Sequence, residues 1–453
     1  NQYPVKDFQD TYMLQLIESE SFTASSNTIL INRDGTVIAT YSKVNNKVNI
    51  NIYEKNGSTW TQRGPTLIGG GSNGSIKAGS FNISGDGNRV TYNANYPDSS
   101  CYRYIYNPAT NTWGGGGLIS GRSVTGGGDK SNIGLRNTMS YSGTTIAAWN
   151  ASTYWWSEGW TTHLPIHIVG TYAGTIVNRN RGYNSSNFQD FNYGQYMDLN
   201  HEGDILVTGD QIVTRVYKYN PSFTYTDSRL SKVQNNWEQI GGDIYPEVLI
   251  PLGETGHHNS MNSTTNPINI GYANDAALSK NFTFQTGSSF YSIDNKLRVV
   301  IGTQTYDNFR GHTRVFEYDS TKTTEVTDQS SVDYGPIGWR RLGGSILGEH
   351  EGDRSGTTVK MDESGNTIVI YAPKNDDGGT DTGHVRTYRY ESTANAWNKL
   401  GPDLDGDSTT NFLVGYNTTS SFSSDGTTLS IKNGGDITTY ELKRYTIPAL
   451  PEA

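Results

Sequence analysis

The stretch that decides the fold runs from Gly338 to Gly406: GWRRLGGSILGEHEGDRSGTTVKMDESGNTIVIYAPKNDDGGTDTGHVRTYRYESTANAWNKLGPDLDG. It opens and closes on one phrase, since Trp339 precedes Gly343 by four residues and Trp397 precedes Gly401 by four. Between the two phrases lies one repeat unit. Within it TTVKM (357–361) alternates apolar and polar as a half-buried strand does, and Glu363-Ser364-Gly365-Asn366 is a tight-turn composition leading into the strand TIVIYA. An Asp- and Gly-rich loop follows, then GHVRTYRY as a third strand and AWNKLG as a fourth. Four short antiparallel strands joined by Gly-rich turns, with no helical period, make one blade of a β-propeller.

Working outward, the turn between the first two strands recurs at Asp34-Gly35, Asp86-Gly87, Ser142-Gly143, Glu202-Gly203, Asp294-Asn295, Ser364-Gly365 and Asp425-Gly426. The third strand recurs as GHTRVFEY (311–318), TRVYKYNP (214–221), YIYNP (104–108), VNINIYEK (48–55) and ITTYELK (437–443). The fourth strand gives a separate count: Trp60, Trp113, Trp237, Trp339 and Trp397 each have a glycine four residues on, at Gly64, Gly117, Gly241, Gly343 and Gly401. In three blades the Trp also follows a third-strand tyrosine by seven residues, Tyr53, Tyr106 or Tyr390.

These counts predict an all-β, seven-bladed propeller with blades near 22–69, 80–121, 135–180, 191–249, 281–348, 357–406 and 419–445. The last blade has no fourth strand of its own. TYMLQLIES (11–19) is predicted to complete it, closing the ring and hiding the two edges an open array would expose.

A chain of 453 residues would by size suggest two or three domains, but a repeat array can form a single body. Tyr, Thr, Ser, Asn and Gly favour strands and turns, and the core is expected to be rich in aromatic rings. The net charge of −9 argues against a nucleic-acid surface, which needs clustered Lys and Arg. No apolar run approaches a membrane span, the longest being VLIPL around Leu249. Cys101 is the only cysteine, so no intrachain disulfide can form. The chain starts at Asn1, as a processed N-terminus would. Low Lys with high Tyr, Asn, Thr and Gly is the composition of extracellular or virion-surface β proteins. Asn-x-Ser/Thr sequons stand at Asn56, Asn73, Asn82, Asn150, Asn184, Asn262, Asn281 and Asn417, about as many as this composition yields by chance.

Units of the form S-x-D-G, a short apolar strand, GxVxVY and W-x-Q-L-G-x-x-I-x-G resemble the propeller repeat proteins of marine microbes, algae and large algal viruses. These are distantly similar to the FG-GAP repeats of integrin-α propellers. WRRLGGSILGEHEGDRSG before blade six and WEQIGGDI in blade four carry the resemblance best. It implies the fold and an extracellular setting and brings no catalytic residues. Integrin-type blades often hold calcium in a DxDxDG loop, a spacing that no loop here has.

His312 and His384 are tempting bases, with Arg314 and Arg386 two residues on, but they occupy one position in consecutive blades, and a repeated position reads as structural. His257 and His258 in GETGHHN have only Glu254 nearby as a further zinc ligand, which favours a solvated loop, and Pro165 between His163 and His167 disfavours a shared helical face. The carboxylates of NDDGGTDTG, Asp376, Asp377 and Asp381, with Asp403, Asp405 and Asp407 of DLDGDS, are calcium candidates, because calcium takes six to eight oxygens in loop geometry. Asp and Gly in this rhythm also simply build turns. Tyr154, Trp155, Trp156 and Trp160 in blade three offer a sugar-stacking platform or a protein interface, or pack between blades as alternating strand residues.

No Ser/His/Asp order, phosphate loop or dinucleotide fingerprint is present. The expectation is therefore a non-catalytic extracellular protein without a cofactor, calcium apart. It would be a structural or adhesive subunit of a filament, virion or cell surface, partnered by other protein subunits or copies of itself. The alternatives are a glycan-binding, lectin-like propeller and a polysaccharide hydrolase or lyase whose carboxylates come from different blades. The long insertions 222–236, 249–280 and 319–338 and blade three are where partners are expected.

Overall fold

A computed structural model describes residues 15–23, 28–45, 47–69, 76–94, 101–118, 133–150, 154–156, 159–161, 166–176, 196–209, 213–227, 232–245, 275–278, 296–406, 420–433 and 436–443. The chain is a seven-bladed β-propeller. Blade six shows the plan: Thr358–Met361, Thr367–Ala372, His384–Glu391 and Ala396–Lys399 pair antiparallel from the inside out. A last piece, Leu404–Asp405, returns to the third strand beyond Gly401. The central strands TIVIYA and RVVIGT are buried along their whole length, because a neighbouring blade covers each face.

The core is accordingly split into layers between blades. Val207, Val216 and Ile240 of blade four meet Val299, Ile301 and Phe316 of blade five, and Val300 and Val315 of blade five meet Val359 and Ile370 of blade six. Each Å² of apolar surface removed from water contributes roughly 25 cal/mol, so the blade-to-blade layers hold the ring.

The repeated phrases have physical causes. At the first turn, the residue three before the glycine caps the strand that follows: Asn32 Oδ1 accepts from Val37 N, Ser84 Oγ from Arg89 N, Asn200 Oδ1 from Ile205 N, Asp362 Oδ1 from Thr367 N and Ser423 Oγ from Thr428 N. The next residue bonds to the adjacent blade: Arg33 N donates to Gly85 O, Gly85 N to Tyr141 O, Tyr141 N to His201 O and Glu363 N to Ser424 O, while in the last turn Asp425 N, one residue further on, donates to Arg33 O. This chain of backbone bonds links turn to turn, and Asp425 to Arg33 crosses the closure.

The Trp-to-Gly spacing is an interblade staple. Trp397 Nε1 donates to Leu342 O at 2.8 Å, laying the indole against Gly343 of the preceding blade. A Cβ on Gly343 would stand 2.9 Å from the ring, and its φ of +68° disfavours any side chain. Trp339 is seated the same way on Gly241, with Nε1 donating to Ile240 O. Blade three lacks the phrase, yet Gly174 still receives Trp237, whose Nε1 donates to Tyr172 O.

Closure occurs as expected with a shifted boundary. Gln15–Thr23 pairs antiparallel with Asp436–Lys443, from Gln15 opposite Lys443 to Thr23 opposite Asp436. The closing strand thus includes Phe22 and Thr23, which the sequence assigned to blade one, and the first strand of that blade is Thr28–Ile31. Its long partner draws these residues into the outer edge. Lys55 pairs with Glu441 at 2.7 Å across the same seam.

Two further differences concern insertions. Residues 222–236, expected as a loop, largely extend a hairpin: Thr214–Asp227 and Lys232–Ile244 stay paired past a bulge between Tyr219 and Thr224. In blade three, Tyr154–Trp156 and Gly159–Thr161 form a separate hairpin with Trp155 opposite Trp160, outside the four-stranded sheet. These aromatics therefore lie on strands of their own. The insertion 249–280 lies outside the described residues except Asp275–Leu278, the first strand of blade five. Among the described residues, no helix is long and apolar enough to cross a membrane.

Candidate functional site

Side chains two apart on a strand share a face, so His384, Arg386 and Tyr388 stand in a row on the third strand of blade six. All three are buried. Arg386 Nε donates to His384 Nε2 at 3.1 Å and its Nη1 to Tyr388 Oη at 3.1 Å. The row begins at the end of the blade where the loop between its second and third strands meets the link from blade five.

Those connections converge carboxylates on His384. Glu349 and Asp353 come from the link, Asp377 from the loop, and Asp403 and Asp405 from the end of the blade, where Asp405 lies opposite His384 in register. His384 Nδ1 is 3.5 Å from Glu349 Oε2 and 3.9 Å from Asp405 Oδ1, and Arg386 Nη1 is 3.6 Å from Glu349 Oε1. Donor atoms of Glu349, His384 and Asp403 lie within 4.8 Å of one another, as do those of Asp377, His384 and Asp405. Asp353 Oδ2 accepts from His350 N at 2.9 Å and from Asn375 Nδ2 at 3.2 Å, tying link to loop. Lys399 Nζ is 2.8 Å from Asp403.

Burial and crowding act on these groups in predictable directions. Burial pushes the Glu349 carboxyl up; Arg386 opposes this, while Asp403 and Asp377 add to it. Asp405 is raised by burial, then by Asp403 and Asp377. Burial, with Arg386 alongside, depresses His384 to about 4, so it is neutral at pH 7. Because its Nε2 accepts from Arg386, the ring proton sits on Nδ1 and faces the carboxylates. Yet Nδ1 makes no hydrogen bond, and neither does Arg386 Nη2.

The backbone around the cluster is unusual too. Among the described residues, the positive-φ positions that are neither Gly nor Asn are Asp307, Phe309, Arg354 and Asp381, at 48°, 63°, 58° and 54°. All four lie in the connections of blades five and six on this face.

The expected site residues divide clearly. Asp377 enters the cluster, with Asp403 and Asp405. Asp376 instead accepts from Asp381 N at 2.7 Å, and Asp381 pairs with Lys374 at 2.7 Å, so both shape the loop. Glu349 and Asp353 were missed by sequence reasoning; the signal, an acidic link two strands before an acidic loop, was in GEHEGD. Their convergence on His384 was not visible, because it depends on chain pairing.

His312, the counterpart of His384, stacks on Tyr306 with centroids 4.1 Å apart. Arg314 donates to Tyr334 Oη and Tyr245 O. Tyr154, Trp155, Trp156 and Trp160 lie on the blade-three hairpin, and His167 lies in the strand Ile166–Gly170. His163, Glu254, His257, His258 and Asp407 lie outside the described residues, with the sequons Asn73, Asn184, Asn262, Asn281 and Asn417. Asn56 is exposed, whereas Asn82 donates its amide to Asn137 Oδ1 at 2.8 Å and would lose that bond if glycosylated. Asn150 ends the strand Thr145–Asn150.

No protein-family model matches the chain, and no curated protein matches it. Among solved structures, the chain is similar to one in the mitotic checkpoint complex, at 11% identity over 98% of this chain and 96% of that one, with a TM-score of 0.43. It is also similar to the WD40 domain of Toxoplasma gondii coronin, at 10% identity over 96% and 90%, TM-score 0.44. A third similar structure is the periplasmic gluconolactonase of Pseudomonas aeruginosa, at 10% identity over 84% and 85%, TM-score 0.43. Likenesses this remote transfer no residue and no activity to the chain.

Proposed function

We propose that the chain is a non-catalytic scaffold propeller that works outside the cell, as a structural or adhesive subunit meeting other copies of itself or other proteins. One observation carries this reading: the insertion 319–338 of blade five is a built protrusion, rooted on blade four through Tyr334 and the bond from Gly242 N to Ile337 O, that adds no strand to its blade beyond the bridge Val326–Gly335. Lys322 Nζ donates to Thr324 O, Gly335 O and Pro336 O at 2.7, 2.7 and 3.0 Å, pinning the loop from within. Val326 and Gly335 exchange two backbone bonds, Tyr334 is buried, and Arg340 pairs with Asp319 and Asp333. This ordered frame holds Val332 69% and Ile337 43% exposed. Apolar side chains presented by a rigid frame suit a protein contact, since little order is lost on binding.

The test is self-assembly of the purified full chain, followed by sedimentation and electron microscopy. Assembly that Val332→Asp with Ile337→Asp abolishes, at unchanged melting temperature, is the expected outcome. A strictly monomeric chain that turns over a polysaccharide would replace this reading with an enzymatic one.

A second reading, glycan binding, draws on the hairpin carrying Trp155 and Trp160, which stands apart from its blade's sheet. Loss of glycan-array binding in Trp155→Ala and Trp156→Ala would favour it.

A further inference from the structure

We propose that Glu349, Asp377, Asp403 and Asp405 form a calcium site that fastens the link between blades five and six to the body of blade six. The proposal is independent of the subunit reading above. Four carboxylates gather in two groups that share His384, Glu349 with Asp403 and Asp377 with Asp405, while Asp353 ties link to loop through Asn375, and Arg386 and Lys399 are the balancing cations. An acidic cluster alone could be a solvated turn. Here, however, a histidine 1% exposed aims an Nδ1 that makes no hydrogen bond at Glu349, whose buried Oε2, 3.5 Å away, has no hydrogen-bond partner either. Buried polar groups are normally paired, and a carboxylate oxygen left open among further carboxylates offers the lone pairs that a cation completes.

The chemistry of the donors selects the ion. Zinc would use a lone pair on His384 Nδ1, moving the ring proton to Nε2. That nitrogen faces the Nε–H of Arg386 at 3.1 Å, and two donors would then oppose each other. The His384 tautomer therefore leaves only oxygens as ligands and assigns the ring an outer role, donating from Nδ1 to a carboxylate that holds the ion. Oxygen ligands from three separate segments form an irregular shell, which calcium accepts with six to eight ligands; magnesium demands near-ideal octahedral geometry. Lys399 is the internal competitor for Asp403, and its partly exposed side chain can turn to solvent when the ion binds. No single loop supplies the ligands, which is why no calcium motif appears in the sequence.

The experiment strips the full chain with a chelator and titrates calcium chloride by calorimetry and thermal melting. The expected result is saturable binding and a melting temperature that rises with the logarithm of calcium concentration, as ligand linkage requires. The paired substitution Asp377→Asn with Asp405→Asn should remove that rise while leaving the chelated protein's circular dichroism and melting unchanged. Should that variant fold poorly, the wild-type titration against calcium, magnesium and zinc decides alone. Superimposable melts with and without calcium, and no heat, would overturn the proposal. Zinc binding more tightly than calcium, with cobalt giving the visible band of histidine coordination, would overturn the oxygen-only assignment.

Discussion

Blades five and six repeat one third strand, GHTRVFEY and GHVRTYRY, and put it to different uses. In blade five, His312 lies flat on Tyr306 and Arg314 is spent on Tyr334 and a backbone carbonyl. In blade six the same histidine and arginine face a ring of carboxylates, and each leaves one nitrogen unsatisfied. The strand is common to both; what differs is which loop arrives over its first residue. Blade five brings the single turn Tyr306–Phe309, and blade six brings an Asp-rich loop together with the acidic link. A repeated residue is thus structural by origin, and its neighbours decide whether it remains so.

The largest expected difference between these blades lies in their staples. Trp339 is 0% exposed within the core between blades four and five, so Trp339→Ala should cost ~3–5 kcal/mol. Trp397 is half-buried and keeps less contact, so Trp397→Ala should cost roughly 1–3 kcal/mol. Urea midpoints measure both, and equal losses would show that the two blades are held alike.

Next in size is an exchange at the shared histidine. His312→Phe keeps a ring stacked on Tyr306 and should be the milder of the two exchanges. His384→Phe deprives Arg386 Nε of its acceptor and should cost ~1–3 kcal/mol. The two differ in pH response as well. Burial, then Arg386, holds His384 at about 4 in the fold, against an ordinary value of 6.5. As pH falls from about 6.5 the unfolded chain takes up the proton first, so stability present above 6.5 is lost toward about 4. Glu349 and Asp405, with raised values, act in the opposite sense, and the readout is the difference between wild type and His384→Phe in chelator. If the two curves run parallel, the histidine is not the buried neutral group described here.

Most of the architecture could be read from the chain because propeller signals are local. A capping Asn, Ser or Asp three residues before a turn glycine, and a Trp four before another, are fixed by contacts that recur blade after blade. Asp294-Asn295 alone among the seven turns falls outside the described residues. The candidate site was half legible. Asp377, Asp403 and Asp405 stood out by composition, but Glu349 reaches them from the preceding blade, a pairing set by ring geometry. His384 looked structural because it has a twin, and only the arriving loops separate the two. Blade three is a related case: its aromatics lie on strands, and among the described residues those strands pair with each other.

The finest prediction separates the cluster from the loop that carries part of it. Asp376 and Asp381 bear the same side chain as Asp377 and adjoin it in sequence, yet one caps the Asp381 N–H and the other pairs with Lys374. Asp376→Asn keeps an acceptor for that N–H. Asp381→Asn suits the local φ of 54°, which asparagine tolerates, and gives up an exposed ion pair contributing about 0–1 kcal/mol. Each should change stability by no more than ~0.5 kcal/mol and leave the calcium-dependent rise in melting intact. Asp377→Asn, one or four residues away, should diminish that rise. If all three variants weaken the response alike, charge density on an acidic loop explains it, and blade six differs from blade five only in net charge. If Asp377 alone does, the difference lies in geometry, in the few oxygens that the link and the blade end bring to His384.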